Sequence, residues 1–254
     1  MQRIAIVYHS AHGHTAHIAH HVLEGARSVP GVLAELVRAE DLAQAPDRLL
    51  HYDGVILGSP TYLGGVSGPF KTFMDSTGRL WTTQQLKNRL AAGFAVSSLP
   101  AVDKQSTLMS MWVFAMQHGM VWVGNPILPE QHTGVPYDEA VNRLDFWSGL
   151  MAQAGHGGAA DAFVPGDTKT ARMFGQHFAE TLQRLGGVGA AAAAGLCEPV
   201  GGRMADRVAV RLPGGDAGSA TGPQGGGAAH GQGLSARAGC AAPLTPARTS
   251  PCCG

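Results

Sequence analysis

The sequence predicts an α/β fold in which helices cover both faces of a doubly wound parallel sheet. Short, mainly apolar runs alternate with helix-like segments as far as residue 185. Strands that are buried on both faces show this pattern. Glycine-containing loops follow the first and third runs. We predict five strands, at residues 3–8, 32–38, 53–59, 90–96 and 120–124.

Helices are predicted at residues 15–28, 68–77, 104–118 and 168–185. The third places Leu108, Met111, Trp112 and Ala115 at the spacing of one apolar stripe. The fourth does the same with Ala171, Phe174, Phe178 and Leu182. Five strands with these loops fit the strand order 2-1-3-4-5, in which a ligand binds at the switch point between strands 1 and 3.

The composition of the chain changes near Gly186. Residues 1–186 form the predicted domain, whereas residues 187–254 contain 16 glycines, 16 alanines and no Phe, Trp or Tyr. Such a segment buries too little apolar surface to offset the entropy lost on ordering. We therefore predict a disordered C-terminal tail. An out-of-frame translation of GC-rich DNA would have a similar composition.

Charge and cysteine content narrow the function classes. The formal net charge is zero, so we expect no nucleic-acid partner. No apolar run approaches the ~20 residues of a membrane span, and no secretory signal precedes the first strand. We expect a cytoplasmic protein. The cysteines lack the C-x-x-C pattern and are interpreted as incidental thiols, with a redox or metal role as the alternative; they are Cys197, Cys240, Cys252 and Cys253.

The loop Ser10–Thr15 is the most informative segment. It joins an apolar strand to a helix, so backbone N–H groups at the helix start are available to an anion. Ser10 and Thr15 add hydroxyl donors, and Gly13 permits a tight turn. The loop contains no Lys or Arg and matches neither of the common nucleotide-loop patterns. It is typical of a phosphate site built from neutral donors, although an ordinary strand–helix turn would also fit.

Several segments together resemble one family. They are Tyr8–Thr15, Gly58–Tyr62, Gly68–Asp75, Leu80-Trp81 and Gln117–Val121. In this order and spacing, over about residues 1–185, the chain resembles the flavodoxin-like NAD(P)H:quinone oxidoreductases of the WrbA-like branch. The resemblance implies a flavodoxin-like fold, an FMN cofactor, NAD(P)H as electron donor and a quinone as acceptor.

The resemblance also implies roles for residues of this chain. Ser10, Ala11, His12, Gly13, His14 and Thr15 are expected to bind the FMN phosphate. The flavin ring would lie between two walls, Pro60, Thr61, Tyr62, Leu63 and Gly64 on one side and Ser97, Ser98 and Leu99 on the other. Trp81 and His118 match positions above the ring and are the expected catalytic residues.

Some of these positions depart from the family or have another explanation. The segment that forms the second wall, residues 95–103, contains Pro100 and almost no glycine, where relatives are rich in Gly and Thr. His12 stands where many relatives have Tyr. Tyr62 could be an ordinary surface tyrosine, Trp81 a core residue, and His118 a histidine at a helix C-terminus.

Six histidines occur between residues 9 and 21. His17 and His21 have the i, i+4 spacing of metal ligands, but no Cys or carboxylate lies at a matching spacing. No metal is predicted.

The function predicted from the sequence is two-electron transfer from NAD(P)H to a quinone by an FMN-dependent enzyme. The alternatives are a flavodoxin-type electron carrier and a flavin-binding scaffold protein with little turnover. Residues 1–186 contain 15 acidic and 13 basic residues, so they lack the acidic surface common in electron carriers. Relatives form dimers or tetramers, and we expect a homodimer or homotetramer.

Overall fold

The computed structural model describes residues 1–100 and 103–195. Its sheet is built from short, apolar strands, as the sequence predicts. The strands are β1 (Gln2–Tyr8), β2 (Val32–Arg38), β3 (Gly54–Tyr62), β4 (Gly65–Val66), β5 (Leu90–Ser97), β6 (Val121–Trp122) and β7 (Leu150–Gln153).

The sheet has the predicted doubly wound topology. The strand order is β2-β1-β3-β5-β6, and these strands are all parallel. Strand β4 forms a small antiparallel ladder with the end of β3. The fifth position is split. Leu90 at the start of β5 pairs with Val121 of β6, whereas Phe94 in its second half pairs with Leu150 of β7. The predicted order 2-1-3-4-5 is confirmed, but the fifth strand expected at 120–124 is interrupted after Trp122 and completed by β7.

Helices lie on both faces of the sheet. They are α1 (His14–Arg27), α2 (Ala39–Gln44), α3 (Gly68–Ser76), α4 (Gly78–Thr82), α5 (Asp103–Gln117) and α6 (Pro165–Gly195). The four predicted helices are present, and the short helices α2 and α4 were not expected. The last helix continues beyond residue 185 through an Ala-rich run with high helix propensity. Residues 196–254 of the predicted tail, with all four cysteines, lie outside the described residues.

An apolar core lies on each face of the sheet. Helices α1 and α6 cover one, where Ile18, Val22, Phe174 and Phe178 are buried. These two helices approach closely because each has a glycine at the contact. A Cβ built on Gly25 would lie 1.8 Å from the Arg172 carbonyl oxygen, and one on Gly175 would lie 2.0 Å from that of Val22.

Helix α5 covers the opposite core and buries three of the four residues of the predicted stripe. Leu108, Met111 and Ala115 are buried as expected, whereas Trp112 is exposed and Phe114 is buried. The buried face is centred on the i, i+4, i+7 series Thr107, Met111 and Phe114, so Trp112 falls at its edge. No helix in the described ranges combines the length and apolar character required to cross a bilayer.

Candidate functional site

A cleft of about 370 Å³ lies where the carboxyl ends of β1, β3, β5 and β7 meet. This edge of a doubly wound sheet, at the switch point between β1 and β3, is where such folds bind ligands. The cleft is lined by Ser10, Ala11, His12, His14, Thr15, Pro60, Thr61, Tyr62, Val96, Ser97, Ser98, Ala154, Gly155 and His156. The predicted phosphate loop and parts of both predicted walls are therefore brought together.

The start of α1 forms a cradle for an anion. Gly13 precedes the helix with a left-handed φ of 85°, and no side chain caps the helix or places an acid in its first turn. A Cβ at Gly13 would be strained by this φ and would lie 3.2 Å from the Cβ of Ala159. The first N–H groups of α1 thus remain available to a ligand, together with the positive end of the helix dipole.

Ser10 supplies the most specific sign of a ligand. Its hydroxyl is buried at the cleft and has no hydrogen-bond partner among the described residues. Buried hydroxyls are normally satisfied, because an unmade hydrogen bond costs about 1–3 kcal/mol. A phosphate oxygen on the cradle would complete the hydrogen bonding of Ser10. The residues present therefore fit a terminal phosphate, such as that of FMN.

His14 links the cradle to the loop after β7. Its Nε2 lies 3.2 Å from the Gly157 carbonyl oxygen, and its ring lies edge-on to Phe163 at 6.2 Å between centroids. Histidines are the only ionisable side chains, apart from Tyr62, among the residues that line the cleft. The cleft contains no Lys, Arg, Asp or Glu, in agreement with a site based on neutral donors.

The first predicted wall is only partly in the cleft. Pro60, Thr61 and Tyr62 line it, whereas Leu63 and Gly64 turn away with positive φ values of 47° and 77°. The Tyr62 side chain is 44% exposed, so one of its faces is free to stack on a ligand. Two contacts attach this wall to α5. The Thr61 and Thr107 hydroxyls are 2.9 Å apart, and the Ser106 hydroxyl donates to the Gly64 carbonyl.

The second predicted wall is also divided. Ser97 and Ser98 line the cleft, but Leu99 does not and is largely exposed. The Ser97 hydroxyl donates to the Leu99 carbonyl at 2.8 Å, which folds the loop back on itself. Residues 101–102, at the end of this wall, lie outside the described part of the chain.

The sequence analysis missed the third side of the cleft. Ala154, Gly155 and His156 line it, and they follow β7 directly. The glycine-flanked histidine after a short apolar run was a usable signal. It was overlooked because β7 has only four residues and was not recognised as a strand.

Trp81 and His118 do not line this cleft, and their expected place above the flavin ring stays a prediction. They line a second cavity of about 550 Å³ between α3, α4 and α5. A helix that follows a strand returns along the sheet, and the 15 residues of α5 span about 22 Å. His118 therefore lies near the amino end of β5, whereas the cleft is at its carboxyl end.

His118 is a buried residue of this second cavity. Only 2% of its surface is exposed, and its Nε2 lies 3.0 Å from the Thr77 hydroxyl oxygen. Phe114 packs edge-on against the ring at 4.6 Å between centroids. Burial lowers the pKa of His118, so the neutral imidazole is favoured. Trp81 is 48% exposed, which excludes the alternative that it is a core residue.

The two histidines of the pair on α1 are close together, and one of them contacts a carboxylate. The Nε2 atoms of His17 and His21 are 3.1 Å apart, and Glu24 lies 3.1 Å from His21 Nδ1. Among the residues that the model describes, no three His, Cys, Asp or Glu side chains are arranged to hold a metal ion.

Comparison with known proteins identifies relatives of similar length to the folded part. A family model described as NADPH-dependent FMN reductase matches residues 11–133. Flavodoxin FldP from Pseudomonas aeruginosa (strain UCBPP-PA14) is 31% identical over 186 residues, which cover 73% of this chain and 99% of that protein. An NAD(P)H dehydrogenase (quinone) from Archaeoglobus fulgidus is 31% identical over 209 residues, covering 73% of this chain and 100% of that protein.

Solved structures agree with this relationship. A WrbA-like flavodoxin from Agrobacterium tumefaciens superposes with a TM-score of 0.55 at 28% identity, covering 72% of this chain and 99% of that structure. The predicted fold and the predicted family are both confirmed. The chain belongs to the flavodoxin-like NAD(P)H dehydrogenase (quinone) family of FMN-dependent oxidoreductases.

Proposed function

We propose that this chain binds FMN in the cleft at Ser10–Thr15 and transfers two electrons from NAD(P)H to a quinone. The observation that carries the proposal is the partnerless, buried Ser10 hydroxyl beside the uncapped start of α1. An anion with several acceptor oxygens satisfies both features at once. The names of the two relatives at 31% identity support a flavin-dependent redox role.

FMN is favoured over FAD because the cradle suits a terminal phosphate. Ser10, Thr15 and the N–H groups of the first turn of α1 would hold that phosphate. Tyr62 would stack on the ring, while Ser97 and Ser98 would offer hydroxyls to its polar edge. When bound, FMN supplies the hydride chemistry, and the protein orients it and sets its electronic environment.

The cleft is open enough for a donor and an acceptor to reach the same flavin face in turn. Tyr62 lines the cleft and is 44% exposed, so it offers an aromatic surface to a flat acceptor. A quinone is the acceptor class that this surface and the relatives' names favour.

An electron carrier is the second candidate, because one relative is named a flavodoxin. The nearly balanced charge of residues 1–186 favours an enzyme over a carrier that docks through an acidic surface. The cytoplasmic location, the homo-oligomeric assembly and the absence of a nucleic-acid partner remain predictions.

In this proposal, Trp81 and His118 act from the second cavity on a neighbouring copy and do not lie over the ring of their own chain. Met109 and Val113, which line the same cavity, are exposed. These apolar side chains support an assembly of copies through this face.

Stopped-flow absorbance would test the proposal. The purified protein, loaded with FMN, is mixed with NADPH or NADH and then with benzoquinone. In a quinone reductase, the flavin absorbance is bleached by the nicotinamide and recovers rapidly when the quinone is added. In an electron carrier, the nicotinamide alone bleaches the flavin only slowly. In a scaffold protein, neither reagent produces turnover. Protein that fails to retain FMN contradicts the proposal altogether.

A further inference from the structure

Lys104 is a buried cation directly behind the wall of the cleft. The residue is 0% exposed, and its ammonium group donates to the Ser97 hydroxyl at 2.8 Å and to the Leu99 carbonyl at 2.7 Å. Ser97 itself lines the cleft. A single hydroxyl therefore separates the charge from the space that a ligand would occupy.

Burying a lysine is costly, since the charged form loses its hydration. Burial is the main influence on the pKa of Lys104 and lowers it, while the Asp167 carboxylate acts in the opposite direction. Within the described ranges, no carboxylate is close enough to form an ion pair with the Lys104 ammonium. A buried, unpaired cation that serves only packing would be readily replaced by an apolar residue, so its position beside the cleft calls for a role there.

The nearby buried charges are already paired with each other. Asp167 accepts two hydrogen bonds from Arg143, at 2.7 and 3.0 Å, and a third from the Gln153 backbone N–H at 2.8 Å. This pair anchors the end of β7, which leads into the third side of the cleft. Since Arg143 and Asp167 offset one another, Lys104 gives this buried group a net positive charge.

We propose that Lys104 is a positioning residue that holds the loop Ser97–Leu99 as a cleft wall and favours reduced FMN over oxidised FMN. The inference rests on the proposed function. Reduction adds two electrons and one proton, as delivered by the hydride of NAD(P)H, and leaves the flavin ring one unit more negative. A fixed positive charge close behind the wall attracts this additional charge, and the low dielectric of the interior strengthens the attraction.

The test measures FMN potential and FMN affinity in three variants. Lys104→Gln keeps a donor for the loop but removes the charge, Lys104→Met removes both, and Lys87→Met removes an exposed lysine as the control. For a unit charge at about 10 Å with an effective dielectric constant of about 20, the attraction corresponds to roughly an order of magnitude in an equilibrium constant.

We expect the ratio of the affinity for reduced FMN to the affinity for oxidised FMN to be about tenfold lower in both Lys104 variants than in the wild-type protein. This ratio corresponds to a fall of about 30 mV in the two-electron midpoint potential. Lys104→Met should in addition bind oxidised FMN more weakly than Lys104→Gln, because its loop has lost both hydrogen bonds. Lys87→Met should match the wild-type protein in both measurements.

A wild-type potential in Lys104→Gln with FMN bound overturns the inference and leaves the proposed function intact. If the wild-type protein takes up no FMN, the proposed function fails, and the inference fails with it. If Lys104→Gln does not retain FMN, Lys104→Arg must restore both retention and potential. A lack of rescue by this charged variant also overturns the inference.

Discussion

The Nε2 atom of His118 lies 3.0 Å from the Thr77 hydroxyl oxygen, and this contact joins the end of α5 to the junction of α3 and α4. The other ring nitrogen, Nδ1, is buried without a partner among the described residues. Burial lowers the pKa of His118 and so favours the neutral imidazole, and the ring lies near the amino end of β5, away from the cleft. Its position has consequences for stability and for catalysis.

Stability should fall as the pH drops below about 6.5. Burial lowers the pKa of His118 in the folded state, so below pH 6.5 the unfolded chain takes up a proton that the folded chain resists. The stability contributed by the neutral ring is complete above pH 6.5 and is lost at lower pH, at most about 1.4 kcal/mol per pH unit for one proton. Urea unfolding from pH 7.5 to 5 measures the slope. His118→Gln should reduce the slope, and the rest comes from groups such as His17 and His177, whose pKa values burial also lowers. The exposed-site variant His51→Gln is the control.

His118→Ala should leave FMN binding unchanged, because the residue does not line the cleft. If the second cavity serves quinone reduction in the assembled protein, turnover will fall while the flavin spectrum and the dissociation constant of FMN stay the same. Trp81→Ala should behave in the same way. Steady-state quinone reduction and FMN fluorescence titration separate the two effects. Loss of FMN from His118→Ala would show that the residue holds the cofactor instead.

Gly175→Ala should destabilise the protein. The added methyl group would lie 2.0 Å from the Val22 carbonyl oxygen, so α1 and α6 must move apart. Overpacking of this kind costs about 1–3 kcal/mol. Gly78→Ala, also in a helix but with open space around the added Cβ, is the matched control. Equal melting temperatures for the two variants would contradict the close packing of α1 against α6.

A chain that ends at residue 195 should retain FMN, reductase activity and a melting temperature within a few degrees of the full chain. The apolar stripe of α6 ends at Leu182, and residues 184–186 are exposed. A second truncation after residue 186 tests the domain boundary predicted from composition. Both truncated chains lack all four cysteines, so full activity excludes a catalytic disulfide. Flavin loss from the chain that ends at residue 195 would show that residues 196–254 contribute to the site.

The strand order and the position of the Ser10–Thr15 loop at the carboxyl end of β1 could be predicted, because each depends on local chemistry. The binding of the FMN phosphate by this loop stays a prediction. Buried parallel strands are continuous apolar runs, and the Ser10–Thr15 loop shows its donors in the sequence itself. The split of the fifth strand could not be predicted, since β7 has four residues and lies far along the chain from β6.

The cavity that His118 and Trp81 line could not be predicted, for a different reason. The resemblance supplied their positions along the sequence but not the edge of the sheet to which α5 returns. Lys104 was missed as well. A lysine in the first turn of a helix usually extends into solvent, and its burial depends on the loop Ser97–Leu99 folding over it.

The most direct test of the account is an FMN titration of the apoprotein, followed by flavin fluorescence. Removal of the Ser10 hydroxyl breaks no hydrogen bond in the described structure, so Ser10→Ala should leave the apoprotein as stable as before. A hydrogen bond to a charged group is worth about 1.5–3 kcal/mol, so Ser10→Ala and Thr15→Ala should each weaken FMN binding roughly tenfold or more. Thr83→Ala, at an exposed hydroxyl away from the cleft, should bind FMN as the wild-type protein does. An unchanged dissociation constant in the double variant Ser10→Ala/Thr15→Ala would contradict the assignment of this loop to the FMN phosphate.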